Sequence, residues 1–273
     1  MGIFTADLWW LIPCLIALGA AAGFLSGLLG VGGGIVLVPG LLYVFGTLGF
    51  ASENMMYVAV GTSLSIIIPT GFTAARAHYK KDAFDKDVFK KIGFGIFLGV
   101  ILGTLLVQSF SGQQLKSIFA IVIGMLSCTM LFNINKLKLW TGMPKQPWTS
   151  FYGLFSGCIS TLIGIGGATM NVPFMSISGV SMRKAVGTSS ALGLLISIPA
   201  MLGFVLIGWT ADGRPPLSLG YVNVIAFLCI VPLSTLVAPY GAEVAHKVSL
   251  KRLRQIFGIF MVIVAIKMWM MSR

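Results

Sequence analysis

With 273 residues, 57% of them hydrophobic and only 10% charged, the chain has too few charges to cover a water-soluble domain of this length. Its mean hydropathy of +0.96 points to lipid as the solvent. The formal net charge of +12 does not indicate a nucleic-acid partner, because Lys and Arg sit in short segments between apolar runs, where topology signals belong.

A spanning helix needs about 20 mostly apolar residues. Runs of that kind predict helices near 8–29, 55–75, 92–110, 114–133, 149–165, 186–208, 218–240 and 253–271. They are continuously apolar and lack the alternation of barrel strands, so an all-α polytopic membrane protein is expected. The first Lys or Arg is Arg76. No basic n-region precedes 8–29, and that segment is expected to be retained rather than cleaved.

Six glycines fall between Gly23 and Gly34. Gly19, Gly23 and Gly27 suit close packing of helix backbones. Gly32, Gly33 and Gly34 predict a break, since consecutive glycines point in every direction and each weakens a helix by about 1 kcal/mol. The apolar stretch that follows, 35–45, is about half a membrane thickness long at about 1.5 Å per residue. A half-helix presents free N–H groups and a positive dipole end at the break, and such an end binds anions without a charged side chain. Pro39 lies too deep to be a first-turn proline and predicts a kink. Further on, Thr62 and Ser63 sit early in the next run. Arg76 ends that run, where charges snorkel to the interface. His78, like His246 later, lies among basic residues and is expected on a solvated face, with a proton role as the alternative.

The polar stretch 136–148 is expected to join an N-terminal repeat, 1–135, to a C-terminal one, 149–273. The sequence GFLSGLLGVGGGIVLVP, Gly23 to Pro39, returns as GCISTLIGIGGATMNVP, Gly157 to Pro173, and AVGTS at 59–63 returns at 185–189. LKSIF at 115–119 is echoed by LRQIF at 253–257. Landmarks in a kept order mean a duplicated unit. The second break is predicted at Gly166–Gly167, with Pro173 as its kink. Thr161 stands where Gly27 does and Ala168 where Gly34 does, which makes a tighter second break the expectation.

Two topologies fit the apolar runs. Eight simple crossings put 12 of the 19 Lys and Arg on the cytoplasmic side, whereas re-entrant broken hairpins in two inverted repeats put 15 there. The positive-inside rule favours the inverted repeats, each of about four helical segments with the first broken.

These residues resemble the sulfite exporter TauE/SafE family, also called the 4-toluene sulfonate uptake permease family. The resemblance rests on G-x-x-x-G-x-x-G-x-G-G-G-x-x-x-V-P at Gly23–Pro39, its altered copy at Gly157–Pro173, and A-V-G-T-S in both halves. It implies transport of sulfite, sulfonates such as sulfoacetate or taurine, or related small anions across the bacterial inner membrane. The candidate anion site is Gly32, Gly33 and Gly34 with Thr62 and Ser63 from the first half, and Gly166, Gly167, Asn171, Thr188, Ser189 and Ser190 from the second. Hydroxyls give neutral hydrogen bonds to sulfonate oxygens, and a buried Asn needs partners. For Ser26 and Ser160, which precede the breaks, packing is the expectation.

All seven acids (Asp7, Glu53, Asp82, Asp85, Asp87, Asp212 and Glu243) lie at or near segment ends. Coupling through a buried carboxylate is therefore not expected, and H+ carried on the substrate, Na+ on backbone carbonyls, or no coupling ion remain as alternatives. Cys14, Cys128, Cys158 and Cys229 fall in apolar runs without C-x-x-C spacing and read as packing residues. No cofactor is expected, and no nucleophile–base pair or H-E-x-x-H set supports an intramembrane enzyme. An anion channel or uniporter is the nearest rival function. A membrane scaffold would not need two matched breaks, and oligomeric assembly is left open.

Overall fold

The structure is a computed structural model that describes residues 8–30, 32–50, 53–131, 142–247 and 250–272. Among the described residues the first half contains α1 (Leu8–Leu29), α2 (Gly34–Thr47), α3 (Met55–Tyr79), α4 (Lys86–Val107) and α5 (Gly112–Leu131). The second contains α6 (Trp148–Ile163), α7 (Ala168–Ile177), α8 (Met182–Ile207), the strands β1 (Ser218–Leu219) and β2 (Val222–Asn223), α9 (Val224–Lys247) and α10 (Leu250–Met270). Six helices, α1, α3, α4, α5, α8 and α9, are long and apolar enough to cross a membrane. The chain is an all-α polytopic membrane protein. Large apolar side chains such as Phe94, Leu105, Met125, Leu206, Leu228 and Ile256 are exposed on its outside, where lipid would cover them. Of the expected joining segment, 136–148, residues 136–141 lie outside the described residues.

Two element starts differ most from the hydrophobic runs, for local reasons. The run predicted from 218 opens as an antiparallel hairpin, Ser218 opposite Asn223, with Gly220 at φ 57° in its turn. Helix α9 then starts because the Asn223 side chain accepts from the Ala226 N–H at 2.9 Å. Helix α4 begins six residues before its apolar run, since Asp85 caps it by accepting from the Val88 N–H at 3.2 Å.

Packing between the halves is backbone to backbone. A β-carbon placed on Gly19, Gly23 or Gly27 of α1 would lie 2.7, 2.2 and 1.8 Å from the carbonyl oxygens of Ile230, Ser234 and Ala238 of α9. The two helices therefore run in the same sense, and only glycine permits the approach. The seam between α4 and α6 repeats this arrangement: β-carbons on Gly95, Gly99 and Gly103 would lie 2.0, 2.1 and 2.7 Å from the carbonyls of Ser150, Leu154 and Cys158. Lipid offers no hydrophobic drive for helix association, so such close van der Waals packing supplies it. Between these seams α3 and α8 run antiparallel, with Gly61 beside Phe204, Gly71 beside Leu194 and Gly187 beside His78. Helices α5 and α10 pair antiparallel as well, with Gln113 Nε2 donating to the Ser272 carbonyl at 2.6 Å and Gly258 beside Leu131.

The short helices double back. Gly33 at the start of α2 lies beside Ala22, and Gly40 beside Leu18, so α2 returns along α1. Similarly, α7 returns along α6, with the Phe174 ring stacked on Tyr152 at 3.6 Å. One end of the molecule gathers the ends of α3 and α9 and the starts of α4 and α8. There Arg76, Lys80, Lys81, Lys86, Lys90 and Lys91 are joined by Arg183, Lys184 and Lys247, with Lys184 Nζ 3.5 Å from Asp85. Lys116 and Lys267 sit at the opposite end, the latter 4.8 Å over the Tyr43 ring.

Candidate functional site

The two breaks are built alike. Helix α1 stops at Leu29 and α2 starts at Gly34; α6 stops at Ile163 and α7 starts at Ala168. Each link is four residues long, so the second is no tighter in length than the first. Gly30, Gly32 and Gly33 have φ of 68°, 71° and 76°, while Gly164 and Gly167 have 70° and 71°. Residues with a β-carbon rarely adopt that region, which explains the glycine spacing. The first amides of a helix have no intrahelical acceptor, and Gly33 and Gly167 at the N-cap positions of α2 and α7 offer no capping side chain either.

The breaks touch each other. A β-carbon on Gly32 would lie 3.3 Å from the Gly166 α-carbon, and one on Gly34 would lie 2.4 Å from the Gly164 carbonyl oxygen. Gly32 also faces Ile67, midway along α3, and Gly166 faces Gly193 of α8. Each break leans on the AVGTS stretch of the other half, Gly30 on Val186 and Gly164 on Val60. Two half-helix N-termini are thus brought to the middle of the fold.

The repeated hydroxyls divide by role. Thr62 Oγ1 accepts from the Asn223 N–H at 2.9 Å, and Thr188 Oγ1 accepts from the Asp85 N–H at 2.9 Å. Asn223 and Asp85 are the residues whose side chains start α9 and α4. Each threonine therefore holds the entry of a crossing helix of the other half, Thr62 that of α9 and Thr188 that of α4. Ser63 donates to the Gly164 carbonyl at 2.9 Å and ties the second break to α3. Ser190 bonds back to the Val186 carbonyl at 3.1 Å. Ser189, fully buried, has a hydroxyl without a partner.

Asn171 is also fully buried. Its Oδ1 accepts from Ser156 at 2.9 Å, while its Nδ2 has no partner. That amide nitrogen lies beside the N-cap of α7, 3.2 Å from the place of a β-carbon on Gly167. Sequence reasoning did not single out Thr169 and Ser197, whose hydroxyls are equally buried and unpartnered. Ser197 falls eight residues after Ser189 and four after Gly193, on the α8 stripe that meets Gly166, and that helical spacing was readable.

Of the other expectations, Ser26 and Ser160 are buried next to the breaks, in keeping with packing. Arg76 is exposed at the end of its helix. His78 is not on a solvated face. It is 1% exposed, with Nε2 2.8 Å from the Gly27 carbonyl, because the stripe through Ala74 and His78 turns inward onto the last turns of α1. The His246 side chain lies outside the described residues.

Six long apolar helices, two helix pairs doubled back at glycines, and a buried meeting point of helix N-termini define a multi-pass membrane transporter. The model of the sulfite exporter TauE/SafE family matches residues 15–268, and the chain belongs to that family. It is similar to a probable membrane transporter protein of Haemophilus influenzae, 31% identical over 261 residues, covering 96% of this chain and 98% of that one. Probable membrane transporter proteins of Bacillus subtilis and Methanocaldococcus jannaschii are each 26% identical, covering 92% and 93% of this chain and 94% and 96% of theirs. No solved structure matches the chain.

Proposed function

We propose that the protein is a secondary transporter of small sulfur-containing anions, sulfite or sulfonates such as sulfoacetate or taurine, across the plasma (inner) membrane. The anion is held where the two breaks meet. The observation that carries this reading is the contact of the two breaks beside the unpartnered Asn171 Nδ2, with the unpartnered Ser189 hydroxyl one turn before Gly193, which meets Gly166. A buried donor without an acceptor costs about 1–3 kcal/mol, a cost that a ligand oxygen would relieve. The several oxygens of a sulfonate suit donors arriving from α7 and α8 together, and among the described residues no cation lies beside the breaks to trap the anion.

The halves are inverted repeats in this reading. Support comes from the exchange of partners, α1 along α9 and α6 along α4, with α3 against α8 antiparallel between them. The end rich in Lys and Arg is cytoplasmic by the positive-inside rule.

Binding to purified protein, measured for sulfite, sulfate, taurine, sulfoacetate and a carboxylate analogue, tests the substrate class. Sulfur anions are expected to bind more tightly than the carboxylate, and indifference to all of them sinks the claim. Counterflow in proteoliposomes separates a carrier from the rival channel, which would show none.

A further inference from the structure

At the basic end, a groove of about 410 Å³ opens between the last turns of α3 and α9, bordered by Thr73, Arg76, Lys80, Lys81, Pro239 and Glu243. Its charge is one-sided. Glu243 is already held by Lys247 at 2.5 Å, and among the described residues no ion pair engages Arg76, Lys80 or Lys81. The groove does not continue toward the breaks along this seam, because one turn deeper the Thr70 and Ser234 hydroxyls meet at 2.8 Å and both are buried. Below the cations, the flanking surface is apolar and exposed: Phe72 on α3, with Leu236 and Tyr240 on α9. The apolar span of α3 reaches Tyr79 and that of α9 reaches Ala245, which puts the groove at the end of both spans, where charged residues meet apolar surface.

We propose that this groove is a binding site for an anionic phospholipid of the leaflet at the basic end. The phosphate sits among Arg76, Lys80 and Lys81, and the acyl chains lie on Phe72, Leu236 and Tyr240. Basic pockets between membrane helices recognise headgroups through this combination of cations above and apolar surface below. A soluble phosphate shares the head chemistry but has no use for the apolar wall. The site stands apart from the breaks and does not depend on what is transported there.

Native mass spectrometry of the purified full-length protein with phosphatidylglycerol or phosphatidylcholine tests the proposal. Wild type is expected to retain phosphatidylglycerol in preference. The R76Q/K80Q/K81Q variant is expected to bind it about 100-fold more weakly, at roughly one factor of five per cation near the surface. K90Q/K91Q, at the same end but outside the groove, should bind as wild type does. The L236A/Y240A variant changes only exposed side chains and should weaken phosphatidylglycerol without altering the thermal melt. Equal losses in K90Q/K91Q and the triple variant, or full retention by both groove variants, overturns the site. Displacement of the lipid by glycerol 3-phosphate at matching concentration would assign the groove to a soluble anion and overturn the lipid proposal.

Discussion

The two breaks have the same length and share a positive φ at their first and last glycines, yet have opposite chemistry after them. Where the first half continues with Ile35 and Leu37, the second has Thr169 and Asn171 at the equivalent positions. The serines that follow in α3 and α8 differ in the same direction. Ser63 is occupied by the Gly164 carbonyl, whereas Ser189 is buried without a partner. Duplication has therefore supplied two equivalent helix ends, and in our reading the halves have divided the work. The first half fixes the geometry of the meeting point, and the second brings the free donors. Buried unpartnered donors are costly, and in the proposed reading those beside the second break, Asn171 and Thr169, are the ones a ligand would satisfy.

The largest expected effect comes from destroying the geometry that both breaks share. Gly33→Leu puts a side chain at φ 76° with its β-carbon 2.9 Å from the Ala22 carbonyl, and Gly167→Leu drives one to 2.2 Å from the Ile196 side chain. Each should lower uptake at least about 100-fold, the scale of a misplacement of about 1 Å at a site. Membrane insertion should persist, and fractionation checks it. Normal uptake by both variants would place the site elsewhere. Next come substitutions that respect the backbone but cross the polarity. Asn171→Leu should weaken anion binding about 10- to 100-fold, the loss of one hydrogen bond to a charged group. Leu37→Asn should leave binding intact and destabilise the protein by about 1–3 kcal/mol, as a buried amide without a partner does. Titration calorimetry and thermal melts read the two effects separately. Equal binding losses from both would end the asymmetry.

Much of this was legible in the residues. The helix ends at Leu29 and Ile163 follow from glycine, because positive φ is cheap for no other residue. The close seam of Gly19, Gly23 and Gly27 follows from their spacing of four. The matching seam of Gly95, Gly99 and Gly103 has the same spacing, but nothing in a single glycine run names the helix it meets. The threonines of AVGTS resisted for a different reason. Their partners, Asn223 and Asp85, are 161 and 103 residues away, and a long-range bond to a backbone amide leaves no local pattern. His78 was misplaced because its neighbours in sequence are basic, while helical geometry groups it with Ala74 rather than with Lys80.

A smaller test falls on the serines. Ser63→Ala removes the donor to the Gly164 carbonyl and should cost about 0.5–1.5 kcal/mol of stability. Ser189→Ala removes a hydroxyl that the protein itself leaves unused, so the melt should hold or rise while anion binding weakens by a few-fold. A stability loss at Ser189 equal to that at Ser63 would mean its hydroxyl has a structural partner after all.

The smallest effect on transport is expected at Thr62 and Thr188, and there the halves should behave alike. Each threonine accepts one backbone N–H from the residue that starts a crossing helix of the other half, at the same distance of 2.9 Å. Replacing either with Val keeps the shape and leaves that amide without its acceptor, at a cost of about 1–3 kcal/mol. Thermal melts should therefore fall by similar amounts for Thr62→Val and Thr188→Val, with anion affinity unchanged in both. A selective loss of affinity for Thr188→Val would show that its hydroxyl turns from Asp85 to the ligand. The donor set on the second half would then extend past Ser189 to the entry of α4, and the division between structural threonine and ligand-facing serine would have to be redrawn.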